Sequence, residues 1–164
     1  MEYREPDFSS ILQVMVNHKV DFIVIGGICA VLHGAPVMTF DLDLVHSRSD
    51  ANIKRLMSAL KELDAYYREH APKHIIPEEA SLKKPGHHLL MTRKGPLDLL
   101  GTVTNERGYE ELREHTVRVS IEDDFEIIIL DLATLILIKE EAGFEKDMAV
   151  LPILRRTLEE MDRE

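Results

Sequence analysis

The chain has 164 residues, of which 45% are apolar and 30% charged, a balance that fits one soluble domain of ordinary core size and excludes a disordered chain. The formal charge of −10, with basic residues scattered in short pairs such as Lys83-Lys84 and Arg155-Arg156, argues against a grip on extended RNA or DNA. A single cysteine, Cys29, excludes an internal disulfide and fits the cytoplasm, and no apolar run has the length of a bilayer span.

The acidic start, Met1-Glu-Tyr-Arg-Glu-Pro-Asp7, has no apolar segment and does not read as a signal peptide. Phe8, Ile11, Leu12, Met15 and Val16 then recur at the spacing of an amphipathic helix. Val20 to Ile25 is β-branched and aromatic, a buried strand ending at Gly26-Gly27. Ile28 to His33 reads as a short helix, and Cys29 within it as a buried, inert thiol. Phe40 to Val45 alternates apolar and acidic residues, which predicts a strand with Phe40, Leu42 and Leu44 toward the core. Ala51 to Leu63 carries a clean helical pattern with Asp50 as its N-cap.

Residues Tyr66 to Gly86 show no clean period and contain three prolines, so loops with one short helix are expected. His88 to Thr92 and Leu97 to Thr102 flank Arg93-Lys-Gly-Pro96 as a hairpin. Tyr109 to His115 reads as a short helical connection, followed by strands at Thr116 to Ser120 and Phe125 to Leu130. Asp131 caps a helix through Glu141 that stops at Gly143, and a last helix runs from about Lys146 toward Glu160. These elements describe an α+β domain, a mixed sheet flanked by helices, spanning residues 1–164 as one unit with a core at about 20–130.

The chemistry concentrates at Gly26-Gly27, thirteen intervening residues, and Asp41-Leu42-Asp43-Leu44. In a strand, Asp41 and Asp43 point to one side roughly 7 Å apart, where two like charges need a cation to neutralise them. Hard oxygens at this spacing suit Mg²⁺ or Mn²⁺, held by carboxylates together with substrate phosphates. The glycines allow close backbone approach and offer free N–H groups suited to phosphate. Asp98 is polar between Leu97 and Leu99; if its strand lies beside Phe40 to Val45, it completes a three-carboxylate cluster able to hold two metals about 3.5–4 Å apart. Taken singly, an Asp-x-Asp pair is ordinary on a solvated strand and a Gly-Gly pair is ordinarily a turn. Their conjunction on consecutive strand, helix and strand is what points to a site. The histidines form no convincing metal set: His87 and His88 point to opposite faces, and Pro72 breaks the helix that His70 and His74 would need.

Ile25-Gly26-Gly27, the helix with His33-Gly34, and Thr39-Phe40-Asp41-Leu42-Asp43-Leu44 resemble the signature of the polymerase-β-type nucleotidyltransferases. Leu132 to Lys139, followed by Ala142-Gly143-Phe144-Glu145-Lys146-Asp147, is similar to the C-terminal helices of the small bacterial members grouped with abortive-infection and toxin–antitoxin systems. The resemblance implies transfer of a nucleoside monophosphate from a nucleoside triphosphate to a hydroxyl on a small molecule, a protein or an RNA end. It implies metal on Asp41, Asp43 and Asp98, and nucleotide contacts from Gly26, Gly27 and Thr39, with Lys139 and Lys146 toward the triphosphate or acceptor. Asp147 would stand behind them or cap the last helix. Two departures matter: Val37 and Phe144 stand where the family tends to have arginine, and Val150 where it has a second acid. Those losses keep open an alternative, a catalytically weak or silent nucleotide-binding module acting with a partner protein. A homodimer also stays open, although no segment carries an unclaimed apolar stripe.

Overall fold

A computed structural model describes residues 5–164, so the first four residues of the acidic N-terminal stretch lie outside the described residues. Helix α1 (Phe8–Asn17) buries Ile11, Leu12 and Met15, and the Asp7 carboxylate caps it by accepting from the Ser10 N–H. Strand β1 (Phe22–Ile25) is buried along its whole length and passes directly into α2 (Gly26–Leu32). Strand β2 (Leu42–His46) leads to α3 (Asp50–Glu62) and the two-residue strand β3 (Tyr66–Tyr67). After α4 (Glu79–Leu82) come the hairpin strands β4 (His87–Thr92) and β5 (Gly95–Leu100). A short helix α5 (Tyr109–Leu112) precedes a second hairpin, β6 (Thr116–Ile121) and β7 (Phe125–Leu130). Helices α6 (Leu132–Ala142), α7 (Glu145–Met148) and α8 (Leu151–Asp162) close the chain.

The strands form one mixed sheet in the order β3-β4-β5-β2-β1-β7-β6. Strand β2 lies antiparallel to β1 and parallel to β5, and this central trio sets Asp43 opposite Asp98. Because side chains alternate along a strand, Leu42 and Leu44 share a face with Leu97 and Leu99, their register partners, and all four are fully buried. His46, on that same face, hydrogen-bonds the Leu82 carbonyl of α4 at 2.9 Å. The opposite face carries Asp43 and Asp98. On the far side of β1, the Cys29 thiol of α2 donates to the Leu130 carbonyl at 3.2 Å, and burial pushes that thiol up to about 12, as an inert core cysteine requires. Among the described residues no helix is long and apolar enough to cross a membrane.

Several elements differ from expectation, each for a local reason. The strand expected from Phe40 begins at Leu42, and Phe40 is 72% exposed rather than turned to the core. Strand β1 leaves the sheet at Gly26, so its pairing with β2 stops at Ile25 opposite Asp43, and the chain bends at Phe40-Asp41. Ser49, not Asp50, caps α3; its hydroxyl accepts from the Asn52 N–H, while Asp50 sits in the first turn where the helix dipole favours a negative charge. The expected last helix is two, α7 and α8, because Pro152 has no N–H with which to continue a helix from α7. Tyr66 to Gly86 is more ordered than expected: it holds β3, a 3₁₀ turn at Arg68–His70 and α4. The cap at Asp131 and the left-handed stop at Gly143 (φ 64°) stand as read from the sequence.

Candidate functional site

The glycine turn and the acidic strand meet by steric necessity. Gly26 has φ of +69°, a backbone state that side-chain-bearing residues rarely adopt, and a Cβ there would overlap the Asp43 carboxylate. A Cβ on Gly27 would overlap the Thr39 side chain. The Thr39 hydroxyl in turn donates to the Asp41 carbonyl at 3.1 Å, which fixes the bend that aims Asp41. Thr39 thus shapes the backbone beneath the acids, pressed against the second glycine.

Asp43 lies in β2 with Ile25 as its partner on one side and Asp98 on the other. Asp41 precedes the strand by one residue. Carboxylate oxygens of Asp41, Asp43 and Asp98 all lie within 4.8 Å of one another. Asp98 is 8% exposed, and the other two are half-buried. Crowding of like charges with little water has the expected consequence. Burial first, then the charges of Asp41 and Asp98, push the Asp43 carboxyl up to about 8. Burial and then the Asp98 charge also raise Asp41, against the lowering influence of Arg68 and Lys146. Three hard oxygen donors at this separation, short of positive charge, fit a divalent cation.

One cation already touches the cluster, and the sequence reading missed it. Arg68, from the 3₁₀ turn after β3, donates through Nη1 to Asp98 Oδ1 at 2.6 Å and to the Leu90 carbonyl at 2.9 Å. Its Nη2 lies 3.9 Å from Asp41 Oδ2. The aromatic pair Tyr66-Tyr67 is a local sign of an added edge strand, but nothing near it in sequence tells which acid Arg68 meets.

Lys139 and Lys146 reach the same place from the C-terminal helices. Together with Gly26, Asp43, Leu135 and Phe144 they line a cleft of about 540 Å³. The Lys139 ammonium donates to Asp147 Oδ1 at 3.1 Å, with both side chains largely buried. Asp147 therefore anchors a lysine; the last helix begins at Leu151 and takes no side-chain cap from it. Lys146 lies over the Phe144 ring, 5.6 Å from its centroid. The positive charge of Lys139 acts on Asp43 and that of Lys146 on Asp41, each favouring the ionised acid. The loop after β5 is tied to α6 by Arg107, which donates to both carboxylate oxygens of Glu141.

Among the described residues no histidine joins the acid cluster, although His87 lines the cleft with Asp43. His74 stacks on Tyr66 at 4.0 Å, His87 is exposed beside the Thr102 carbonyl, and His88 is buried against the Tyr67 hydroxyl. A groove of similar size, about 560 Å³, lies between α3 and the β3 edge, lined by Met57, Leu60, Tyr66 and His74. It holds none of the clustered acids, so chemistry rather than size distinguishes the two.

No family model matches the chain, and no curated protein matches it by sequence. Solved structures do share its architecture. A lincosamide antibiotic adenylyltransferase, LnuA, solved with lincomycin bound, aligns at 15% identity over 90% of this chain and 94% of its own, with a TM-score of 0.60. A candidate nucleotidyltransferase from Thermotoga maritima aligns at 16% identity over 93% of this chain and 91% of its own, with a TM-score of 0.56. At such identities the likeness speaks for the fold: a mixed sheet flanked by helices, of the nucleotidyltransferase type.

Proposed function

We propose that the protein transfers a nucleoside monophosphate from a nucleoside triphosphate to a hydroxyl acceptor, with Mg²⁺ or Mn²⁺ as cofactor. The observation that carries this reading is the convergence of Asp41, Asp43 and Asp98, of which Asp43 lines a cleft that also holds Lys139 and Lys146. These carboxylates would hold a divalent ion, which would supply positive charge to offset that of the triphosphate. Asp41, from the bend, and Asp43, from β2, would be its ligands. Gly26 keeps a side chain out of the space beside Asp43 and Gly27 makes room for Thr39, so that phosphates can approach the backbone. Lys139, steadied by Asp147, and Lys146 offset the charge of the triphosphate. Asp98 supplies the base: the acceptor oxygen forms a bond to the α-phosphorus, its proton passes to the Asp98 carboxylate, and the bond to pyrophosphate breaks. Positioning and charge neutralisation, rather than covalent participation of the protein, account for the rate.

The adenylyl transfer named for LnuA makes a small hydroxylated molecule one acceptor class to test here; a protein hydroxyl is the other. A charge of −10 opposes an extended nucleic acid. The reading is tested by calorimetric titration of nucleoside triphosphates with Mn²⁺, comparing wild type with Asp41→Asn/Asp43→Asn. Metal-dependent binding that disappears in the double variant supports it. Folded wild-type protein that binds no triphosphate sinks it. A second reading, a nucleotide-binding module that does not transfer, is favoured by one observation, the guanidinium of Arg68 already lodged on Asp98. Triphosphate binding with no pyrophosphate release across an acceptor panel would select it.

A further inference from the structure

Arg68 gives the acid cluster an internal cation from a segment separate from the strands that bear Asp43 and Asp98. The guanidinium is clamped at three points: Asp98 Oδ1 at 2.6 Å, the Leu90 carbonyl of β4 at 2.9 Å, and Asp41 Oδ2 at 3.9 Å. The turn that presents it is itself held. The Tyr67 N–H donates to the Ile75 carbonyl at 2.9 Å, and the Tyr67 hydroxyl is hydrogen-bonded to His88, which is 7% exposed. Arginine keeps its charge across the accessible pH range, so this cation cannot be titrated away. Fully ionised, the three acids carry −3; Arg68 brings +1, so a divalent ion arriving alone is drawn by −2 instead of −3.

We propose that Arg68 is a positioning residue that acts as a built-in counter-ion, holding Asp98 by one oxygen and weakening metal binding to the empty cluster so that metal loads together with the triphosphate. The inference rests on the transfer reading above. Its physical basis is direct: a fixed positive charge within a few ångströms of a cation site repels an incoming divalent ion, and water screens it little at a largely buried acid. Triphosphate supplies negative charge that offsets the repulsion from Arg68. A solitary ion gains less from the cluster than an ion arriving with its nucleotide.

The test measures Mn²⁺ alone, by calorimetry on the full chain, for wild type, Arg68→Gln, Arg68→Met and Arg68→Lys, then repeats each with a non-hydrolysable ATP analogue present. Without nucleotide, Arg68→Gln and Arg68→Met are expected to bind Mn²⁺ at least about tenfold more tightly than wild type, whereas Arg68→Lys, which keeps the charge, stays close to it. The gain in Mn²⁺ affinity on adding the analogue should be larger in wild type than in the neutral variants. An arginine with a merely structural role would give the reverse, a loosened cluster with weaker Mn²⁺ binding. Equal or weaker Mn²⁺ binding by either folded neutral variant overturns the inference, and leaves the transfer reading standing where wild type still binds Mn²⁺ with the analogue. Failure of wild type and variants alike to bind Mn²⁺ in either condition overturns both.

Discussion

The two sides of β2 place opposite demands on the same five residues. One side presents Leu42 and Leu44, flanked by Leu97 and Leu99 of β5 and fully removed from water. Burial of each such side chain stabilises the fold by about 1.5–3 kcal/mol. The other side presents Asp43 beside Asp98, where burial and mutual repulsion oppose ionisation and therefore oppose folding of the charged form. Strand alternation makes this possible: a dry face one residue away carries the structure, and the acids are free to be placed for chemistry. The same division holds in α6, where Leu132 and Ile136 are buried in the core while Lys139 reaches the cleft.

The contrast can be broken most severely from the acid side. Asp41→Asn/Asp43→Asn is expected to lower nucleotidyl transfer by on the order of 10³-fold or more while leaving the fold intact. Transfer is followed with α-labelled triphosphate, and a variant that keeps a tenth of wild-type activity would remove these acids from the mechanism. On the apolar side, Leu44→Ala opens a cavity in a fully buried position and should cost about 2–5 kcal/mol in urea unfolding. A loss below about 1 kcal/mol would mean that the neighbours collapse into the space.

A subtler contrast lies in pH. The Asp43 carboxyl is held up to about 8 in the folded chain, against an unfolded value of 3.8, so the folded state retains a proton that the unfolded state releases. This contribution to metal-free stability is complete below about pH 4 and is lost as pH rises through about 8. Asp43→Asn should therefore flatten the decline and melt a few degrees higher than wild type at pH 8 without metal. Adding Mn²⁺ should raise the melting temperature of wild type but not of the variant. A variant that declines with pH as steeply as wild type would assign the slope to another group. The smallest effect is expected at Lys146→Gln, which removes one charge from the cleft wall: triphosphate affinity falls about 3- to 10-fold with stability unchanged. An unchanged affinity would exclude Lys146 from the triphosphate side.

What could be read in advance follows the range over which each signal acts. The helix cap at Asp131, the left-handed stop at Gly143 and the alternation Leu42-Asp43-Leu44 are decided within a few residues, by hydrogen bonds and sterics that the local sequence contains. Even within that range, competition shifted details. Asp50 yielded the cap of α3 to Ser49, and Phe40 fell outside the strand because β1 had already turned away at Gly26. The acids of the candidate site were therefore legible as residues, and Asp98 as one that needed a particular neighbour.

The sequence by itself determined a mixed α+β chain with two acids one residue apart and a glycine turn before them, because alternation and turn geometry are local properties. That Asp41 falls in the bend before the strand and not on its face was decided by the turn of β1 at Gly26. The tertiary structure alone decided that β5 lies parallel to β2 with Asp98 opposite Asp43, and that Lys139 and Lys146 share a cleft with Gly26. It also decided that Arg68, thirty positions from Asp98 along the chain, closes on it at 2.6 Å. Strand order and register are settled by the burial of the whole leucine face together, and a charge placed by that packing meets partners that no spacing along the chain encodes.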